Sequence, residues 1–96
     1  MKKLNTHEQM VAKLTQAIMS DYIGGYENSM EDYEEGSEDY ITAKNFLEMP
    51  KQEMINFIKS EVVSESQRMG YAKHMNFAGT EFLEKWIVKQ LEDWGY

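Results

Sequence analysis

The chain has 96 residues, no cysteine and a formal net charge of -7. These facts exclude disulfides, thiolate nucleophiles and cysteine-built zinc or iron–sulfur sites, and they suit one domain, residues 1–96, whose modest core leaves little space for an enclosed active-site cavity. Between Asp21 and Asp39 eight acids occur with no Lys or Arg, while the rest of the chain holds nine acids against ten bases, so the acidity is one local feature.

Met1-Lys2-Lys3 has the charge of a secretory n-region, but Asn5, Thr6, His7, Glu8 and Gln9 follow in place of an apolar segment. No apolar run approaches the roughly 20 residues of a membrane span, so a soluble, cytoplasmic protein is expected. Asn5 or Thr6 can cap a first helix, with Glu8 or Gln9 completing a capping box. Met10, Val11, Leu14, Ala17, Ile18 and Tyr22 follow the 3.6-residue period and predict a helix over 7–22, ended by Gly24-Gly25. Residues 23–37 read as an acidic loop or short helix, in which Ser29 caps a single turn and Gly36 stops it.

Ser37 starts a second helix through Tyr40, Ala43 and Leu47, which must end near Met49 because Pro50 disfavours a helical predecessor. Pro50 suits the first position of a third helix. The apolar face of that helix is Met54, Ile55, Ile58, Val62 and Met69, and Arg68 and Gly70 are its stop signals. Residues 70–79 have no clean period. Thr80 then caps a last helix whose wide apolar face is Phe82, Leu83, Trp86, Ile87, Leu91 and Trp94. No segment alternates apolar and polar residues as a strand would. The expected fold is mainly α: a small single-domain bundle of three to four amphipathic helices, with an acidic loop or short helix between the first two.

Recognisable catalytic chemistry is missing. His7-Glu8-Gln9-Met10-Val11 begins like a zinc-protease helix, but Val11 stands where the second histidine belongs. His74 has no nucleophile elbow or triad signature around it. An EF-hand starting at Glu31 places Gly36 correctly and fails at Glu31, Glu38 and Thr42. Seventeen acids make any glycosidase-like carboxylate pair uninformative. Gly24-Gly25 precedes no Gly-Lys-Ser/Thr, and its acidic flanks would repel phosphate. Direct nucleic-acid binding is disfavoured, since the bases are scattered and Arg occurs once. No catalytic residue, metal or cofactor is expected.

The distinctive segment is acidic and tyrosine-rich, over residues 21–40. Glu31-Asp32-Tyr33 recurs as Glu38-Asp39-Tyr40, and Tyr26, Tyr33 and Tyr40 fall seven apart. Tyrosine suits interfaces because it offers apolar area and a hydroxyl, and a localised negative field favours a basic protein surface as partner. The candidate partner-binding residues are Glu31, Asp32, Tyr33, Glu34, Glu35, Glu38, Asp39 and Tyr40. A compact helical segment would space its charges about 3.5 Å apart, close to a single nucleic-acid strand; a homodimer presenting two such faces would approach duplex density.

In size, acidity, lack of cysteine and helical character the chain resembles the small acidic DNA-mimic proteins with which bacteriophages block host restriction or CRISPR enzymes. The resemblance rests on Asp21 to Asp39. It implies a non-enzymatic inhibitor that covers a basic, nucleic-acid-binding site on a partner protein, in the host cytoplasm if phage-encoded. Two other readings compete. The acidic stretch is a solvated loop, or the chain is a structural, assembly or adaptor module associating through Phe82, Trp86 and Trp94 of its aromatic C-terminal helix.

Overall fold

The computed structural model describes residues 3–96; the Met1-Lys2 start of the apparent n-region lies outside them. Six α-helical segments form, with no strand among the described residues: α1 (Thr6–Met19), α2 (Gly25–Asp32), α3 (Glu38–Leu47), α4 (Lys51–Arg68), α5 (Ala72–Ala78) and α6 (Thr80–Asp93). A π-helical turn, Ser20–Gly24, joins α1 to α2 without a break, so the chain makes five rods. The expectation of three to four helices is corrected on this count.

The largest correction concerns Gly24-Gly25. Both glycines are helical, with φ of −61° and −62°, and the first rod continues to Asp32. Glycine weakens a helix without forbidding it, and here tertiary packing wins. The π turn inserts a residue into the helical repeat, seating Ile23 fully in the core. Tyr22 and Tyr26, four residues apart, then both meet Phe46 of α3, at ring-centroid distances of 6.2 and 4.7 Å.

The other ends follow local chemistry. At Asn5 the predicted capping box forms: its Oδ1 accepts from the Glu8 N–H at 2.8 Å, and Glu8 Oε1 accepts from the Asn5 N–H at 3.0 Å. Ser37 caps α3 by accepting from the Tyr40 N–H. Ser29 caps nothing; its hydroxyl donates back to the Gly25 carbonyl inside α2. Helix α3 stops at Leu47, short of Met49, and Pro50 stands at the N-cap of α4, one place earlier than expected. Gly70, at φ 77°, closes α4 while the Tyr71 N–H reaches the Ser66 carbonyl. The undecided residues 70–79 contain the short helix α5. Thr80 is the first helical residue of α6, and the cap is Gly79, at φ 88°, where a side chain would be strained.

One apolar cluster unites the chain. Val11, Ile18, Met19 and Ile23 meet Met54, Ile55, Ile58 and Val62 of α4, Met75 of α5, and Leu83, Ile87 and Leu91 of α6. Met69, expected on the buried face of α4, is 47% exposed because it lies past the last helical residue. Thr15 and Ser66 are the buried polar side chains among the described residues, and both donate to carbonyls of their own helices. Helices α1, α4, α5 and α6 form the body, while α2 and α3 pack chiefly on each other as a helical hairpin. The hairpin meets the body at an aromatic joint, where Phe57 of α4 stands edge-on to Tyr22 and Phe46 at 5.0 and 5.3 Å. Among the described residues no helix is long and apolar enough to cross a membrane.

Candidate functional site

Six carboxylates fall within the nine residues from Glu31 to Asp39. The fold bends this stretch into the tip of the α2–α3 hairpin. Tyr33 is extended and ends α2; Gly36, at φ 91°, supplies the positive φ that lets the chain reverse; Ser37 restarts it as α3. All six carboxylates, Glu31, Asp32, Glu34, Glu35, Glu38 and Asp39, are exposed. The charges therefore concentrate at one end, and the even spacing expected of an unbroken helix does not arise. Tyr26, Tyr33 and Tyr40 do not form a stripe for the same reason.

Ion pairs leave this tip untouched. The pairs among the described residues are Lys51–Glu92, Lys59–Glu84, Arg68–Glu65 and Lys85–Glu81. None uses an acid between Asp21 and Asp39. The helix dipole divides the tip in two. Glu38 and Asp39 lie in the first turn of α3, facing its positive end, whereas Glu31 and Asp32 close α2 with no base in its last turn. The latter pair faces a negative pole, which disfavours it.

The structure brings the candidate residues together unequally. Tyr33 is 48% exposed beside the carboxylates. Tyr40 is half-buried, with its backbone N–H held by Ser37. Tyr26 serves the joint with α3. Ile41, which sequence reasoning passed over, is 47% exposed next to the tip. Its signal was legible: Ala43 and Phe46 define the inward face of α3, and helical spacing puts Ile41 on the far side.

Two carboxylates behind the tip are engaged by tyrosines. The Tyr96 hydroxyl donates to Glu27 at 3.0 Å and the Tyr22 hydroxyl to Glu61 at 3.0 Å. Burial, together with the bond to Glu27, pushes the Tyr96 phenol up to about 12. The bond to Glu61, then burial, raises Tyr22 above its ordinary value. Both bonds lie at the root of the hairpin, away from its tip.

Away from the hairpin, the fold joins the two histidines, neither of which has a partner nearby in the sequence. His7 Nδ1 and His74 Nδ1 lie 2.9 Å apart. Sixty-seven residues separate them, so no local spacing could announce the pair.

The depressions lined by Gln16, Met19 and Trp94 and by Glu81, Val88 and Glu92 are open shelves, and one lined by Met10, Leu14, Tyr71, His74 and Met75 has no room for a water molecule. Comparison of the chain with protein-family models, curated proteins and solved structures found no match.

Proposed function

We propose that the chain is a non-enzymatic inhibitor that binds a basic surface of a partner protein, one that otherwise holds nucleic acid, and works in the cytoplasm where such partners act. The observation that carries this reading is the hairpin tip, with six exposed carboxylates, no paired base, and Tyr33 and Ile41 half-exposed among them. Two of those carboxylates oppose the dipole of their own helix. A pair of charges set against the stability of its own helix fits a task outside the fold. Glu31, Asp32, Glu34, Glu35, Glu38 and Asp39 supply the field that speeds encounter. Tyr33, with Tyr40 behind it, supplies contact area, where interfaces concentrate their binding energy. The compact tip suits a concave basic pocket better than a long groove.

The test is capture from host lysate at low and at high salt. It compares the native chain with a variant in which the six carboxylates become Gln or Asn. The expected result is a basic nucleic-acid enzyme held only by the native chain and released by salt. A partner held equally by both forms at both salts would overturn the reading. That outcome would favour the assembly module instead, for which Trp94, 39% exposed at the end of α6, is the supporting observation. Trp94→Ala would then abolish the association while helicity persists.

A further inference from the structure

We infer that His7 and His74 form a binding site for a divalent transition-metal ion, with zinc as its simplest occupant. The two Nδ1 atoms face each other at 2.9 Å across the contact between α1 and α5. Two imidazole nitrogens bound to one zinc at about 2.0–2.1 Å in tetrahedral geometry stand about 3.3–3.4 Å apart. The observed separation is within half an ångström of that edge, so a small opening of the pair admits the ion.

Both rings are held in place before any ion arrives. His7 sits in the first turn of α1, whose start is fixed by the Asn5–Glu8 box. Its ring stacks on Phe77 at 4.6 Å with planes 18° apart. His74 lies on α5 with its ring edge-on to Tyr71 at 5.8 Å, and Tyr71 is itself pinned by its N–H bond to Ser66. Ordering such side chains is a main cost of building a chelate, and here the fold has already met it.

Without metal, one Nδ1 carries a proton and donates to the lone pair of the other, since two bare lone pairs at 2.9 Å would repel. Neutral imidazole offers a second tautomer, with the proton on Nε2. When both rings adopt it, the bridging proton has moved by way of water to Nε2 of its own ring with no net release, and a small turn of the rings brings both Nδ1 lone pairs onto one ion. No group of three or more His, Cys, Asp or Glu residues suited to a metal exists among the described residues. The protein thus gives two ligands, and water completes the shell. Imidazole favours Cu, Ni and Zn over the hard cations Ca and Mg, so calcium is the natural control.

The experiment follows thermal unfolding of the full chain with zinc chloride, with calcium chloride and with neither. Zinc in tenfold excess over its dissociation constant is expected to raise the native Tm by about 5–10 °C. Calcium should leave it unchanged. His7→Gln and His74→Gln should each abolish the zinc shift, judged against that variant's own metal-free Tm. Nitrogen-15 NMR of the native chain gives a second reading that needs no variant: zinc should move both Nδ1 resonances and place both protons on Nε2. No zinc shift in the native chain, an equal shift in either glutamine variant, or a zinc complex that leaves the Nδ1 resonances in place would each overturn the inference.

Discussion

A carboxylate at the carboxyl end of a helix faces the negative pole of the helix dipole, and Glu31 and Asp32 both stand there with no base in the turn. They also stand close in sequence to Glu34 and Glu35, which adds like-charge repulsion. Removing these charges should therefore help the fold while weakening the proposed encounter. Glu31→Gln and Asp32→Asn are each expected to raise stability by about 0.3–1 kcal/mol at low ionic strength. Denaturant titration checks this, and the gain should shrink as salt is added. Glu38→Gln should do the reverse, because Glu38 lies in the first turn of α3, where the dipole favours it. Equal effects at residues 31 and 38 would contradict the dipole argument.

At the level of elements, the strong periodic segments were legible, as were the caps at Asn5 and Ser37 and the stop at Gly70, whereas the stop expected at Gly24-Gly25 does not occur. The inner faces of α4 and α6 were readable from spacing, as Met54, Ile58, Val62, Leu83, Ile87 and Leu91 are all buried, but Met69 and Trp94, expected on the same faces, lie past the last helical residues and are exposed. The hairpin tip was also legible as a charged, tyrosine-bearing segment, because charge density survives any change of backbone. Gly24-Gly25 misled because local propensity says stop, whereas Ile23, Tyr22 and Tyr26 gain core and joint contacts only if the helix goes on. The histidine pair was illegible because it depends on how α5 docks against α1, which no single helix encodes. The two glycines carry a prediction. An added Cβ at either meets nothing within 4 Å, and both have ordinary helical φ, so space does not demand glycine. Gly24→Ala and Gly25→Ala should each raise stability by about 0.5–1 kcal/mol. If the weak helix beside the π turn serves to let the hairpin adjust to a partner, the same variants will slow capture of that partner. Destabilisation by either alanine would show that the turn needs glycine for some other reason.

On the scale of the molecule, the Cα radius of gyration is 14.5 Å, against about 12.5 Å for a compact chain of this length. The first rod, Thr6 to Asp32, spans about 40 Å at 1.5 Å per residue, close to the 44 Å long axis. The hairpin is fastened to the body by the aromatic joint and by the Tyr96–Glu27 bond, which ties the residue after α6 to α2. That bond carries a pH signature. The folded phenol ionises near 12 against 10.0 for a free tyrosine, so its stabilisation is complete below pH 10 and disappears as pH rises through 12. Tyr96→Phe should cost about 1 kcal/mol at neutral pH and remove that part of the alkaline loss, as read by denaturant titration from pH 8 to 12. The single rod also sets a distance between errands. His7 and Glu31 lie about 36 Å apart along it, more than four Debye lengths at physiological salt. An ion bound at one end, as inferred, would neither touch nor electrically perturb the proposed partner at the other, so a chain tethered to a surface through its imidazoles would keep its acidic end open to solution.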